Sequence, residues 1–228
     1  MFQKLEKQIN ITFHNQQLLK NVFVHRSYLN EHRSFSLPSN EKLEFLGDSV
    51  LSLTTSIYLY KEYPQLHEGD YTDIKAAIVR TESLGEAAKK LDLGSHLLLS
   101  KGEEASGGRS KITLLADCME ALIAAIFIDQ GFEKAYMFIA DHLFGNTLKE
   151  IIESKSYLSP KSHLQQWTQA RYKQLPKYKL VSEKGPEHDK TFTIEVRVKD
   201  QSIAQASGDS KKKAEEKAAA NALEKLKG

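Results

Sequence analysis

Only one cysteine, Cys118, occurs in the 228 residues, so an internal disulfide is excluded and packing must hold the fold. Its apolar surroundings, LLADCMEALIAAIFID, fit a buried small side chain better than a reactive thiol. No run of about 18 apolar residues exists and the start, MFQKLEKQIN, is polar and charged. Neither a signal peptide nor a membrane span is therefore expected, and the cytoplasm is the expected location. Internal repeats and low-complexity tracts are missing, as is any cluster of His and Cys. The composition is that of a globular protein long enough for one large domain or two smaller ones.

Net charge is also scarce, at +2, but it is unevenly spread. Residues 156–228 carry 15 Lys and Arg against 9 Asp and Glu, a net +6, whereas residues 1–155 carry 17 against 21, a net −4. A basic C-terminal part suits a polyanionic partner, and an acidic N-terminal part suits a site that needs cations.

What the chain does contain is five acids on two otherwise apolar, helix-like segments: Glu41, Glu44 and Asp48 in NEKLEFLGDSVLSL, then Asp117 and Glu120 in LLADCMEALIAAIFID. At about 100° per residue, the first three fall in one sector roughly 60° wide, and the apolar stripe Leu43, Leu46, Val50, Leu53 and Ile57 is expected opposite them. Two readings of this sector stand: the solvated side of an amphipathic helix, or one wall of a cation site. Asp117 and Glu120 favour the second, because their helix has no wet side, and an unpartnered carboxylate there would cost several kcal/mol or stay protonated. Lys and Arg are scarce nearby. Hard oxygen ligands without His or Cys suit Mg²⁺, with Mn²⁺ as a substitute, rather than zinc. Phe45 projects on the acid side, which fits either a contact within the monomer or a subunit interface beside the site.

Apolar spacing of period 3.6 predicts helices near 2–9, 15–23, 39–62, 68–79, 81–91, 95–100, 112–130 and 132–152, an all-α N-terminal domain over 1–153. Pro64 ends the helix predicted at 39–62, and Gly102, Gly107 and Gly108 mark a loop. A short polar linker, 154–159, ends at Pro160. Beyond it the pattern is α-β-β-β-α over 160–228: a helix from 160 to 174, strands at 178–183, around 192–198 in TFTIEVRV and at 202–206, then an alanine-rich helix from Ser210. Trp167 and Tyr172 read as core packing. Lys211, Lys212 and Lys213 lie in the first turn of the last helix, where cations oppose the helix dipole, so an anionic ligand explains them better than folding does.

NEKLEFLGDSVL resembles the signature stretch of the ribonuclease III family. HRSYLNE (25–31), KGEEASGGRSK (101–111), LADCMEALIAAIFIDQG and a C-terminal module similar to a double-stranded RNA-binding domain follow that family's order. The resemblance implies an Mg²⁺-dependent endoribonuclease that cleaves duplex RNA as a homodimer, leaving 5′-phosphate and 3′-hydroxyl ends with a short 3′ overhang, in processing of ribosomal RNA and other structured transcripts. It implies Glu44, Asp48, Asp117 and Glu120 as metal ligands, with Glu41 peripheral, Asp48 and Glu120 as the catalytic pair, and Phe45 in the dimer interface. No membrane partner and no cofactor besides the divalent metal are implied.

For RNA binding it implies Ser162, Gln165, Gln166 and Gln169 on the first helix of the module, Pro186, Glu187 and His188 in the loop between its first two strands, and the three lysines. Hydrogen-bonding side chains in three regions suit shape readout of an A-form duplex. Lys42, Asp73 and Lys75 stand where the family more often has arginine. The alternative from another class is a dimeric RNA-binding scaffold without activity.

Overall fold

The run LLADCMEALIAAIFID forms the middle of a helix, Ile112–Gln130, in which Leu115, Cys118, Met119, Leu122, Ile123 and Ile126 are wholly or almost wholly buried. Such a sequence is stable only with neighbours on every side. The computed structural model describes residues 2–186 and 189–227. The chain divides into two units, Met1–Glu153 and Ser154–Gly228.

The first unit is helical: α1 (Gln3–Ile9), α2 (Gln16–Val22), α3 (Arg26–Glu31), α4 (Glu41–Glu62), α5 (Glu68–Ile78), α6 (Thr81–Lys90), α7 (Lys101–Ala105), α8 (Ile112–Gln130), α9 (Phe132–Ile139) and α10 (Gly145–Ser154). Helix α8 is the central element, packed by α2, α4, α6 and α9. Asp129, near its C-terminus, accepts the backbone N–H groups of His14 and Asn15, each at 2.9 Å. That carboxylate, with its side chain only 3% exposed, ties the start of α2 to the end of α8. The hydrogen bonds to its oxygens hold its carboxyl below the usual range against the opposing effect of burial.

Several expectations need correction. The predicted helix at 95–100 is a 3₁₀ turn, Leu93–His96, followed by extended chain. There Leu98 pairs with the segment around Val24, donating its N–H to Phe23 O (2.8 Å) and accepting from His25 N (3.2 Å). Those groups are committed to a distant partner and cannot close a helix. Helices α3 and α7 were not foreseen; both are short, and neither buries a side chain fully, so neither leaves a periodic stripe. Side-chain caps set their starts: His25 accepts Ser27 N–H, and Ser100 accepts Glu103 N–H. The predicted helix at 132–152 is interrupted by a π-helical turn, Ala140–Phe144.

The face of α4 also differs from expectation. Its buried residues are Leu43, Gly47, Val50, Leu51, Thr54, Thr55 and Leu59, while Leu53 is 54% exposed. On the helical wheel this face lies roughly 80° from the expected stripe and borders the acid sector instead of opposing it. The cause is Gly47: a β-carbon there would overlap the backbone carbonyl of Glu120. Only glycine lets α4 lie this close to α8.

The second unit comprises α11 (Pro160–Tyr172), β1 (Lys177–Lys184), β2 (Thr191–Val198), β3 (Gln201–Gly208) and α12 (Lys211–Lys227), with an antiparallel sheet in the order β1-β2-β3. Ile194, Val196 and Ala204 pack against Leu164 of α11 and the alanine face of α12 (Ala214, Ala218, Ala219 and Ala222). Alternation in TFTIEVRV is visible as inward Ile194, Val196 and Val198. Trp167 is packed against this core, as expected, and Tyr172 meets it edge-on with ring centroids 5.5 Å apart.

Candidate metal centre and nucleic-acid interface

Helices α4 and α8, locked together at Gly47, bring acids from distant parts of the chain to one place. Carboxylate oxygens of Glu44, Asp117 and Glu120 all lie within 4.8 Å of one another. All three residues are partly buried, and among the described residues no Lys or Arg nitrogen lies within 4.0 Å of them. Burial, followed by the charges of Asp48, Glu44 and Asp117, pushes the Glu120 carboxyl up to about 8. Burial and then Asp117, Glu41 and Asp48 raise Glu44. Burial raises Asp117, with His25 acting in the opposite direction.

Asp48 is exposed and outside the tight trio, one turn beyond Glu44, yet its charge acts on both Glu120 and Glu44. Glu41 is also exposed, at the edge of the cluster; it accepts from Ser39 Oγ at 2.7 Å and pairs with Arg26 at 3.7 Å. The donors are therefore all hard carboxylate oxygens with unbalanced charge, which fits a divalent cation such as Mg²⁺ or Mn²⁺ and not a soft metal.

Beside the acids is a cleft of about 250 Å³ lined by His25, Arg26, Asn40, Glu41, Glu44, Leu114 and Asp117. His25 and Asn40 were missed from sequence. The His25 ring is fixed by its Nδ1, which accepts Ser27 N–H (3.2 Å) and lies 2.8 Å from Ser27 Oγ, itself an acceptor from Ser100 N–H (3.0 Å). With Nδ1 accepting, the neutral ring carries its proton on Nε2. Burial, aided by Arg26, lowers its pKa despite Glu103, Asp117 and Glu41. Asn40, only 4% exposed, donates Nδ2 to Val22 O (3.0 Å) and its backbone N–H to Val24 O (2.8 Å), so the start of α4 is anchored. An Asn one residue before a helix was the available signal, but the sequence could not say that it would be buried or what it would bond.

Phe45 is 79% exposed, so no contact within the monomer covers it. Lys42 is exposed, and Lys75 is partly buried and donates to Ser56 Oγ at 3.2 Å; Asp73 is partly buried.

In the second unit Gln165, Gln166 and Gln169 are exposed on α11, and Ser162 is half-exposed near its N-terminus, 3.3 Å from Ser159 Oγ. Pro186 is exposed after the end of β1, while Glu187 and His188 lie outside the described residues. Lys211, Lys212 and Lys213 are exposed in the first turn of α12, which Ser210 caps by accepting Lys213 N–H at 3.2 Å. Lys211 Nζ sits 5.7 Å from the centre of the Phe192 ring.

Residues 15–147 match the Ribonuclease-III-like family and residues 160–226 the Double-stranded RNA binding motif. The chain belongs to the ribonuclease III family. It is 43% identical to Ribonuclease 3 of Pseudothermotoga lettingae over 97% of this chain and 94% of the relative. It is 42% identical to Ribonuclease 3 of Enterococcus faecalis over 98% and 96%. The nuclease domain of ribonuclease III from Campylobacter jejuni, described as showing structural flexibility in the region involved in dimer formation, superposes with a TM-score of 0.59 at 35% identity. That match covers 64% of this chain and 98% of that domain. Among ribonuclease III features, the helical nuclease unit and the α-β-β-β-α RNA-binding unit are both present here. No helix among the described residues is long and apolar enough to cross a membrane.

Proposed function

We propose that the chain is a duplex-RNA endoribonuclease that hydrolyses a phosphodiester in each strand with Mg²⁺, or Mn²⁺ in its place. The products would carry 5′-phosphate and 3′-hydroxyl ends with a short 3′ overhang, and structured transcripts in the cytoplasm, ribosomal RNA precursors among them, are the expected substrates. The observation that carries this reading is the convergence of Glu44, Asp117 and Glu120, with Asp48 beside them, in a chain of this family that also bears a double-stranded RNA binding motif.

Glu44, Asp48, Asp117 and Glu120 would hold the cation, with Glu41 at the margin. Once bound, the cation supplies the Lewis acidity that produces hydroxide near neutral pH and offsets charge on the leaving oxygen. The protein's own part is to concentrate negative charge in a partly dry place and keep it rigid. Gly47 holds α4 against α8. Asn40 fixes the first turn of α4. Arg26, 3.7 Å from Glu41, offsets part of the charge at the margin.

Two cuts need two sites, hence a homodimer. Phe45, Leu53 and Tyr60, exposed by 79%, 54% and 74%, share one flank of α4 and are the surface offered to a second copy. In the second unit, the exposed glutamines of α11, the loop after β1 and the lysines of α12 would contact 2′-hydroxyls and phosphates, reading shape more than sequence.

The test is to incubate labelled duplex RNA with the chain in Mg²⁺, in Ca²⁺ and in EDTA. Cutting in Mg²⁺ alone, with binding in all three, is the expected result. Binding without cutting under every condition would establish the inactive scaffold instead.

A further inference from the structure

One acid stands inside the lysine cluster of α12 where folding does not require a strong ion pair. Asp209, the residue before the Ser210 cap, accepts from Lys213 Nζ at 2.6 Å. Lys217, one turn further along the same flank, adds to the field that Lys213 exerts on this carboxyl, which lies below the usual carboxylate range. Both members of the pair are about two-thirds exposed, at 66% and 65%. Exposed pairs of this kind contribute little to stability, because water and salt screen them.

We propose that Asp209 is an internal competitor for the RNA phosphate: it holds Lys213 in the free protein and must release it when the duplex docks. The inference rests on the reading of Lys211, Lys212 and Lys213 as phosphate contacts and concerns how tightly that contact is set.

The chemistry follows from charge and position. A helix N-terminus already favours an anion through its free N–H groups and its dipole. Asp209 supplies that anion permanently, on the same side as the cation a phosphate would need. It therefore reduces affinity twice, by occupying Lys213 and by repelling the phosphate. Lys212, by contrast, has no carboxylate within 4.0 Å among the described residues. The glycine before Asp209 keeps the acid in place: a β-carbon at Gly208 would press on the backbone of Lys213 and Ala214. The junction of β3 and α12 cannot easily swing away. An enzyme that must release its cut duplex gains from such a brake.

The experiment uses the full chain in EDTA, so that RNA is bound and not cut, with the anisotropy of a labelled duplex followed over a series of KCl concentrations. Asp209→Asn and Asp209→Ser should each tighten Kd by about 3–10-fold at low salt, and steepen the slope of log K against log salt by up to about 0.9, the increment for one more phosphate contact. Asp209→Glu, which keeps the charge, should stay near wild type. In a Lys213→Ala background the gain from Asp209→Asn should shrink, since the two act through one ion pair.

Unchanged or weaker binding by both Asp209→Asn and Asp209→Ser, while Lys212→Ala weakens binding, would overturn the competitor and leave the lysine contact standing. If Lys212→Ala and Lys213→Ala both bind as wild type does, the phosphate reading of α12 fails, and the role of Asp209 fails with it.

Discussion

Gly47 of α4 faces the backbone carbonyl of Glu120 so closely that no side chain fits between them. Two helices are thereby brought within carboxylate reach, and the acid cluster is a product of that approach. Gly47→Ala should force the helices apart or strain them. Overpacking costs about 1–3 kcal/mol, and backbone contact places this site at or beyond the upper end. Thermal denaturation should show the loss, and activity should fall further than stability explains, because Glu44 would move relative to Glu120.

Glu120 is costly to the metal-free protein. Its carboxyl is raised from 4.5 to about 8 by burial first and neighbouring acids second. A raised folded-state pKa means the contribution to stability is complete below the unfolded value and is lost as pH rises through about 8. Glu120→Gln should therefore melt higher than wild type in EDTA at alkaline pH, by roughly 1 kcal/mol or more, with the gap closing toward pH 5. Calorimetry of both proteins across that range measures it.

Asp129 shows the opposite sign. Its carboxyl lies below the ordinary value of 3.8, because of its hydrogen bonds from the His14 and Asn15 backbone. Its contribution is present above the unfolded value and disappears as pH falls through the lowered one. Asp129→Asn should cost about 1.5–3 kcal/mol at neutral pH, the range for hydrogen bonds to a charged group. Chemical denaturation should show the difference from wild type narrowing in acid.

Phe45→Ala should weaken self-association. A well-buried aromatic at the centre of an interface is worth about 2 kcal/mol or more, roughly 30-fold in the dimer constant. Sedimentation equilibrium reads this directly, and an unchanged constant would remove Phe45 from the interface.

Much of the fold was legible because its signals are local. The strongly apolar segment of α8, broken by few polar residues, reads as a buried helix at its length, and Ile194, Val196 and Val198 alternate as a half-buried strand must. Where the reading failed, the deciding groups were far away in sequence. Leu98 is extended because Phe23 and His25 take its hydrogen bonds. The buried face of α4 turned toward the acids because Gly47, which a hydrophobic wheel scores as nearly neutral, is where α8 lies closest.

The same limit applied to the site. The shared sector of Glu41, Glu44 and Asp48 was visible in the spacing, but not that Glu44 would join Asp117 and Glu120 while Asp48 and Glu41 stayed exposed. His25 stands in the stretch HRSYLNE, but its place beside the acids could not be read there, since its orientation depends on Ser27 and on the N–H of Ser100, 73 residues from Ser27.

The most direct test is the single-turnover rate of duplex cleavage by Glu120→Gln at saturating Mg²⁺, with RNA affinity measured on the same preparation. A fall of about 10³-fold or more with Kd unchanged is the predicted result, as expected when the proposed metal ligand supports only the chemical step. Cleavage at the wild-type rate would contradict a metal centre built on the approach of α4 and α8.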